Sequence, residues 1–470
     1  MNAPQSFEAL IIGAGLAGLS CALRLAEQGV RVALLEKGET ERYLCNSRIC
    51  GGAFHVSYRD VAESPDILMK AMKSYTDDFS RQSFLDVMAQ NVGQTVQWLQ
   101  SKGLRYIKVG TASHRQHTLA PPIATKGRDY WHGRGGDVML RTLQAEYKKA
   151  GGTLLLGTRA IKLKMSGTVC VGIEAEQQGK IVQIEARNVV ICDGGFQANL
   201  ELLKEFITPA PAKIRQRNAQ TAKGDGLIMA REVGAKLVGM DHFYGHLLIQ
   251  DAMTNDDLWP FPIMDELCVA GLIVNAQGER FVDEGLGGVY LANHLAALED
   301  PLSTTVIFDQ SIWDGPGKAF ITPANPLIVQ NGGTVHTSQT LEELAGKVGI
   351  DANRLTKTVA AYNAAVSAGT LEQLNPTRSA KTHSAMPIIN APFYAVRLAP
   401  GITYTMGGIA IDEHSRVLNS AEDPIMGLYA AGCATGGLEG GPQVGYVGGL
   451  SKSSVTGFRA ANHIAENRAR

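Results

Sequence analysis

Three glycines near the start of the chain have the spacing of a phosphate-binding turn, because Gly13, Gly15 and Gly18 form the pattern Gly-x-Gly-x-x-Gly. In such a turn the first glycine permits the tight bend, the second lets the backbone approach a pyrophosphate, and the third lets helix and strand pack closely. A helix that begins here directs its free N–H groups and the positive end of its dipole toward the phosphates. Glu36 follows at the distance expected of an acid that accepts hydrogen bonds from a ribose diol. These residues predict a dinucleotide-binding site.

Hydrophobic patterning indicates the elements that must position these residues. Residues 7–36 predict a strand, a helix and a second strand, with the glycines in the first turn and Glu36 at the end of the second strand. The two ends of the chain are expected to form one domain, with an insert between them. The remaining pattern predicts, in chain order, an extended loop over 103–136, an amphipathic helix over 136–152, strands over 153–195, helices near 341–368 with Asp351 as an N-cap, and a closing helix from about Gly449.

The composition limits the classes of function. The chain has 470 residues, which suggests two or three domains, and its 44 Lys and Arg against 45 Asp and Glu give a net charge of −1. Without a basic block, nucleic-acid binding and electrostatic membrane attachment are not expected. No apolar run predicts a membrane span and the N-terminus does not resemble a signal peptide, so a cytoplasmic location is expected. The seven cysteines are scattered without a CxxC pair, which predicts no metal, iron–sulfur or haem site.

Several further segments, taken in order, resemble the FAD-dependent fumarate reductase/succinate dehydrogenase flavoprotein family, which includes ketosteroid dehydrogenases and tricarballylate dehydrogenase-like enzymes. The resemblance implies an α/β fold (α+β overall), with a Rossmann-like FAD-binding domain formed by 1–240 and 386–470 and an α+β capping domain inserted at 241–385. The segments that carry it are Gly13 to Glu36, Asn46-Ser47-Arg48 with Gly51-Gly52, Val189 to Gly195, Gly224-Asp225-Gly226, Gly278 to Glu284, Thr405 to Gly408, and Gly427 to Gly449.

The same resemblance implies which residues hold FAD. The family's covalent-flavin histidine would precede Gly51-Gly52, where this chain has Cys45 to Arg48, so non-covalent FAD is expected. Cys433 replaces the glutamate that often holds the ribityl hydroxyls. The implied cofactor-binding residues are Gly13, Gly15, Leu16, Ala17, Gly18, Glu36, Lys37, Asn46, Ser47, Gly51, Gly52, Ala160, Asp193, Gly194, Asp225, Gly432, Gly448, Gly449 and Leu450.

Family members move a hydride between the flavin and one carbon of an activated C–C bond, while a protein group handles the proton at the other carbon. In fumarate reductases an arginine after the Arg-Phe-x-Asn-Glu segment, a histidine before TMGG and an arginine near the last Gly-Gly act on the dicarboxylate. Here Gly285 to Gly288 follow Glu284 and include no arginine. Tyr404, and not a histidine, precedes TMGG at residues 405–408, and Tyr446 precedes Gly448-Gly449 where the family has an arginine. Fumarate and succinate are therefore not expected as substrates, because paired arginines are the strong way to grip carboxylates.

A phenol suits a ketone or enone instead, because it can hydrogen-bond the carbonyl oxygen and exchange a proton. The sequence therefore predicts an FAD-dependent oxidoreductase that acts on a C–C or C=C bond next to a carbonyl of the enone or ketone type. The candidate catalytic residues are Tyr404, Tyr446, His242, His246 and Tyr244, the last three in the segment that matches the family's substrate-binding region.

Two alternatives stay open. One is a tricarballylate dehydrogenase-like or fumarate reductase-like enzyme for polycarboxylates, with the acids held by Arg115, Arg128 or Arg134 of the predicted loop. The other is a non-catalytic flavin subunit that passes electrons, which the cap-like insert disfavours because a lid serves a substrate. With one dinucleotide fingerprint and no NAD(P) site of its own, the partners are expected to be a small-molecule substrate and an external electron acceptor or donor: a quinone, oxygen or a redox protein. The oligomeric state is left open.

Overall fold

The computed structural model describes residues 5–124 and 130–468. No helix of that part of the chain combines the length and apolar content needed to cross a membrane. The strands are, in chain order, β1 Gln5–Ile12, β2 Val32–Leu35, β3 Ala53–Val56, β4 Arg59–Asp60, β5 Tyr106–Ile107, β6 His117–Leu119, β7 Thr153–Leu155, β8 Thr158–Ser166, β9 Val169–Gln177, β10 Lys180–Ile191, β11 Arg215–Gln216, β12 Leu237–Val238, β13 Phe243–Ile249, β14 Leu272–Val274, β15 Thr305–Asp309, β16 His336–Ser338, β17 Phe393–Thr405, β18 Gly408–Ile409, β19 Arg416–Leu418 and β20 Pro424–Ala430.

Helices cover the two faces of the first sheet and surround the second. The predicted helix at 136–152, the helices near 341–368 and the closing helix are confirmed, and Asp351 caps its helix by accepting the N–H of Arg354 at 2.8 Å. The helices are α1 Leu16–Glu27, α2 Asn46–Ile49, α3 Pro65–Thr76, α4 Gln82–Ser101, α5 Gly135–Lys149, α6 Leu200–Phe206, α7 Asp225–Glu232, α8 Asp265–Ala270, α9 Gly288–Ala296, α10 Gln310–Asp314, α11 Ala324–Gln330, α12 Leu341–Val348, α13 Ala352–Ala368 and α14 Gly449–Glu466.

The first sheet has strand order β19-β20-β10-β1-β2-β7, with β8 and β9 extending from β10. Its centre is parallel, and Ile12 of β1 lies in register with Leu35 of β2 and Ile191 of β10. The chain leaves β1, β2 and β10 at the same edge, which is where α/β sheets bind their ligands. The Rossmann-like part of the predicted fold is confirmed, and the strands predicted over 153–195 form β7 to β10.

The second sheet is organised around the long strand β17, which pairs with β11, β13, β15 and β16. Strand β13 runs antiparallel to it and places Tyr244 directly opposite Tyr404. The register shifts by one residue between Tyr244 and Gly245, and such a bulge redirects the neighbouring side chains. Strand β17 belongs to the predicted FAD-binding segment 386–470, but it pairs with β13 and β15 of the predicted capping segment 241–385. The boundaries 1–240, 241–385 and 386–470 therefore stay a prediction.

A buried ion pair holds the segment between the two sheets in place. Arg48 and Asp137 are both fully buried, and the guanidinium of Arg48 pairs with the carboxylate of Asp137 and donates to the carbonyl of Tyr43 at 2.6 Å. The region predicted as an extended loop over 103–136 is only partly one, because β5 and β6 form within it. Arg128 lies outside the described residues. The pair positions the short helix α2, which carries Asn46 and Ser47 toward the carboxyl edge of the first sheet.

Candidate active site

The glycine turn lies at the carboxyl edge of the first sheet, as the sequence predicts. Gly13 has a φ of +94°, and a Cβ added there would lie 2.7 Å from the Cα of Asp193. A Cβ on Gly18 would lie 1.9 Å from the carbonyl oxygen of Gly13. Gly15 immediately precedes helix α1. Glycine is therefore required by backbone conformation at position 13 and by close packing at position 18.

Glu36 immediately follows strand β2 and accepts a hydrogen bond from the glycine turn. One of its carboxylate oxygens accepts the N–H of Ala14 at 3.1 Å, and the other accepts the N–H of Gly38 at 2.8 Å. Burial raises the pKa of Glu36, and the two N–H donors act against that rise. Each oxygen keeps a second acceptor site. Glu36 can therefore accept hydroxyl hydrogen bonds from a ligand in the adjoining cavity, as the sequence predicts.

A first cavity follows this edge of the sheet, and two of the residues that line it have unsatisfied acceptors. Asp193 Oδ1 and Gln197 Oε1 are buried and have no hydrogen-bond partner among the residues that the structure describes, while Asp193 Oδ2 accepts the N–H of Gly226 at 2.8 Å. Burial raises the pKa of Asp193 to about 6. Because both residues also line the cavity, these acceptors are available to a ligand. The hydroxyls of a nucleotide cofactor fit these acceptors, and its phosphates fit the glycine turn.

Most residues proposed to hold the cofactor line one of two cavities. Gly18, Gly432 and Gly448 line neither and pack behind the cavity walls, where a Cβ on Gly448 would lie 2.4 Å from the carbonyl oxygen of His55. Those lining the first cavity are Gly13, Gly15, Leu16, Ala17, Glu36, Lys37, Asn46, Ser47, Ala160, Asp193, Gly194 and Asp225. Those lining the second are Asn46, Ser47, Gly51, Gly52, Gly449 and Leu450.

The second cavity has a volume of about 1210 Å³ and is continuous with the first, because Asn46, Ser47, Cys433 and Ser453 line both. It lies between the first turn of α14 and the neighbouring ends of β13 and β17. Its volume exceeds the several hundred cubic ångströms of a typical small-ligand site. The space is large enough for the reacting end of a cofactor together with a substrate.

Seven tyrosines of the described chain line the second cavity, and four of them form a cluster of neighbouring rings: Tyr58, Tyr244, Tyr404 and Tyr446. The ring of Tyr446 stacks on that of Tyr244 with centroids 3.9 Å apart, and the centroids of Tyr244 and Tyr404 are 5.4 Å apart. Tyr58 lies 5.8 Å from Tyr446. The structure thus brings together the three tyrosines singled out in the sequence and adds Tyr58, which sequence reasoning missed.

A hydrogen-bonded chain leads from Tyr244 into the protein. The hydroxyl of Tyr244 lies 3.0 Å from His246 Nε2, and His246 Nδ1 lies 2.6 Å from Asp265 Oδ2. The other carboxylate oxygen of Asp265 accepts the N–H of Leu247 at 2.9 Å. A carboxylate only accepts, so neutral His246 carries its proton on Nδ1 and presents Nε2 as the acceptor for the phenol. The arrangement can move a proton between the cavity and an imidazole, in the manner of an acid–histidine–hydroxyl triad.

The surroundings of Tyr244 differ from those of Tyr404 and Tyr446. Burial raises the pKa of Tyr244, the guanidinium of Arg217 acts against that rise, and the carboxylates of Asp265 and Glu439 add to it. Burial raises the pKa of Tyr404 and Tyr446 well above the usual value, and nearby Glu439 raises both further. Tyr404 donates its hydroxyl to Glu439 at 2.8 Å. Tyr244 is therefore the phenol best placed to exchange a proton with a molecule in the cavity.

Two guanidinium groups line the second cavity without an acidic partner among the described residues. Arg217 donates to the carbonyl of Pro260 at 3.0 Å and to Thr403 Oγ1 at 3.1 Å. Arg115 lies over the ring of Phe320, 5.2 Å from its centroid. Burial lowers the pKa of both arginines, while interaction with Tyr244 raises it. The carboxylate of Asp265 also raises the pKa of Arg217, but neither guanidinium makes a direct ion pair with a described acid. A desolvated guanidinium without such a pair is costly, so this wall favours an anionic ligand.

The remaining candidates from the sequence do not face the cavity. His242 is absent from the cavity lining and pairs with Asp241 at 3.0 Å. Glu284 pairs with buried Arg280, and Asp283 accepts the hydroxyl of Ser379, so both acids form contacts within the protein outside the cavity. The cavity residues that sequence reasoning missed include His55, Tyr58, Arg217 and Asp265, which lie in segments without a recognisable motif. Glu439 and Lys452, behind Tyr404, were also missed.

Comparison with known proteins identifies the cofactor. Residues 8–445 match the family described as FAD binding domain. The chain belongs to this FAD binding domain family. FAD is therefore the nucleotide whose phosphates suit the glycine turn, and the predicted family, fold class and cofactor are confirmed. FAD binding is supported by residues from both ends of the chain, because Gly13 near the start and Ser453 near the end line the same cavity.

Relatives within the family are distant. The chain is 26% identical over 479 residues to the NADH:fumarate oxidoreductase of Klebsiella pneumoniae, a match that covers 100% of this chain and 48% of the relative. It is 29% identical over 378 residues to the NADH:acrylate oxidoreductase of Vibrio harveyi, covering 78% of this chain and 35% of the relative. The chain thus spans half or less of the length of these two relatives.

The fold is also found in a solved structure, that of 3-ketosteroid delta1-dehydrogenase from Sterolibacterium denitrificans in complex with 1,4-androstadiene-3,17-dione. The TM-score is 0.76 and the sequence identity 21%, and the match covers 98% of this chain and 100% of that chain. At this identity the likeness concerns the fold alone. It confirms the predicted fold class over nearly all of this chain.

Replacing Gly13 with alanine is expected to yield protein that no longer retains FAD, because the new Cβ would collide with the backbone at Asp193. Flavin content per chain, from the visible absorbance of purified protein, measures this. Gly151→Ala is the matched control, since its φ is also positive, +84°, but nothing lies within 4 Å of the added Cβ. Equal flavin content in both variants would contradict the assignment of the turn.

Proposed function

We propose that this protein is an FAD-dependent oxidoreductase that forms or reduces a carbon–carbon double bond next to a carbonyl group. The observation that carries the proposal is the Tyr244 hydroxyl, which lines the second cavity at the end of the chain through His246 to Asp265. Such reactions need one protein group that gives or takes a proton at carbon. The predicted candidates Tyr244 and His246 are proposed to act together as that group.

When bound, FAD supplies or takes up the hydride at one of the two carbons. In the direction of double-bond formation, Tyr244 takes the proton from the other carbon and passes its own hydroxyl proton to His246 Nε2. Asp265 stabilises the resulting imidazolium through Nδ1. In the direction of reduction the same protons move the opposite way. Tyr446 packs on the ring of Tyr244 and restricts its orientation.

A carboxylate is a second candidate for the activating group. The structural support is the pair of cavity arginines without acidic partners, Arg115 and Arg217. Neither stands at the positions where fumarate reductases carry their arginines, but Arg115 is one of the three arginines considered for a polycarboxylate enzyme. The relatives are named for fumarate and acrylate, both unsaturated acids. With the tyrosines around it, this wall suits an unsaturated acid that carries an aromatic or other flat group.

One set of compounds distinguishes a substrate activated by a neutral carbonyl from a substrate activated by a carboxylate. The FAD-loaded protein, reduced anaerobically by a viologen dye, is mixed with cinnamate, with its methyl ester and with cyclohexenone, and the reoxidation of the flavin absorbance is followed. Reoxidation by the ester and the enone supports a neutral carbonyl, and reoxidation by cinnamate alone supports the carboxylate. Slow reoxidation by all three, no faster than by buffer, contradicts the proposed reaction and favours a flavin subunit that only passes electrons.

The attachment of FAD to the chain and the identity of the electron partner are also proposals. FAD is proposed to be held non-covalently, because no histidine occupies Cys45 to Arg48 ahead of Gly51 and Gly52. Denaturation in acid followed by filtration should release the flavin, whereas a covalent flavin would stay with the chain. Electrons are proposed to reach or leave the site through a separate quinone, oxygen or redox protein. A cytoplasmic location stays a prediction.

A further inference from the structure

A buried ion pair lies directly behind Tyr404. Glu439 and Lys452 are both 0% exposed, and Lys452 Nζ lies 3.3 Å from Glu439 Oε2. Lys452 Nζ also donates to the carbonyl of Thr435 at 2.8 Å. A lysine with no exposed surface is rare unless it is paired. Burying both charges costs desolvation energy that replacement by apolar side chains would avoid, so this pair calls for a role besides stability.

The carboxylate of Glu439 organises the cavity wall through one oxygen. Glu439 Oε1 accepts the hydroxyl of Tyr404 at 2.8 Å and the N–H groups of Val447 and Gly448, each at 3.1 Å. Val447 immediately follows Tyr446. One acid thus determines the direction of the Tyr404 hydroxyl and anchors the turn that carries Tyr446.

The pair lies next to the proposed position of the reacting part of FAD. Lys452 is in the first turn of α14, and its neighbours Gly449 and Ser453 line the second cavity. Position 449 is also in close contact with Tyr404, because a Cβ there would lie 3.1 Å from the tyrosine ring. Charges in such a water-poor setting act over longer distances than at a surface, because the effective dielectric constant is low.

We infer that Glu439 and Lys452 are positioning residues whose opposite charges hold Tyr404 against the first turn of α14 and balance the electrostatic potential at the flavin. The inference rests on the proposed function in placing the reacting part of FAD in the second cavity, and it does not depend on the substrate. Reduction adds negative charge to a flavin, so an unbalanced positive charge nearby favours the reduced form and an unbalanced negative charge opposes it. Removing one member of the pair should therefore shift the flavin equilibrium in a direction set by the charge that is left.

The test compares the flavin reduction potential of Glu439→Gln, Lys452→Met and the double variant by anaerobic dye titration of the FAD-loaded proteins. Glu439→Gln leaves Lys452 and should favour reduction at least tenfold, a rise of about 30 mV for a two-electron couple. Lys452→Met leaves Glu439 and should disfavour reduction by a similar factor. The double variant should return to within threefold of the wild-type equilibrium.

A purely structural role gives a different pattern. Glu284→Gln, which disrupts the buried pair with Arg280 and lies outside the lining of both cavities, is the matched control and should lower thermal stability without moving the potential. Potential shifts of the same sign in both single variants, or below twofold in both, would overturn the inference. If one single variant does not fold, the other decides it by the sign of its shift. Because no substrate is involved, this outcome is independent of the compounds that test the proposed function.

Discussion

Replacing Tyr244 with phenylalanine is expected to lower the turnover number by about 10²–10⁴-fold while flavin content stays unchanged. The substitution removes the only atom of this side chain that can carry a proton and keeps the ring that stacks on Tyr446. His246→Gln and Asp265→Asn should cause smaller losses, because the phenol remains but its proton acceptor is lost or misoriented. Steady-state kinetics with whichever compound reoxidises the flavin measure these effects.

Two measurements separate a loss of chemistry from a loss of structure. Tyr362→Phe is the matched control, because Tyr362 is buried in α13 and lines neither cavity. It should keep wild-type turnover. In the His246 variant the dependence of turnover on pH should change shape, since the imidazole that accepts the phenol proton is gone. Tyr244→Phe protein with more than a third of the wild-type turnover would contradict the role of the phenol.

The second large effect is expected at Arg217. If the substrate is an acid, Arg217→Met should raise its KM about 30-fold or more, the effect of removing one partner from a buried charge pair. Arg115→Met should act in the same direction. The KM for the corresponding methyl ester should change far less, because the ester carries no charge for the guanidinium to meet.

The comparison of acid with ester makes the Arg217 result interpretable, since Arg217 also donates to Pro260 and Thr403 within the cavity wall. Any general distortion of the wall would impair both compounds alike. Arg231→Met, which disrupts the exposed pair with Glu205, is the control for removing an arginine and should leave both KM values unchanged. Equal losses for acid and ester would contradict carboxylate binding and leave the neutral carbonyl as the supported substrate group.

The sequence alone was sufficient to identify the cofactor and the family. The glycine turn and Glu36 form one contiguous strand–helix–strand unit, and the forces that shape such a unit act over a few residues. Patterning likewise located the helices near 341–368 and the strands after residue 153, because hydrophobic periodicity is a local property. The tyrosines at 404 and 446 could be singled out because they occupy positions where the resemblance leads one to expect other residues.

Only the tertiary structure decided which side chains work together. Tyr244 and Tyr404 are neighbours because β13 and β17 pair in one register, and register depends on contacts between strands that are far apart in the chain. His246 and Tyr244 were both predicted, but Asp265, which completes their chain, comes from a different element. Arg217 and the pair of Glu439 with Lys452 have no sequence signature, because burial and partnership arise only when distant segments pack together. The local pattern therefore determined what the protein binds, and the packing determined the residues available for its chemistry.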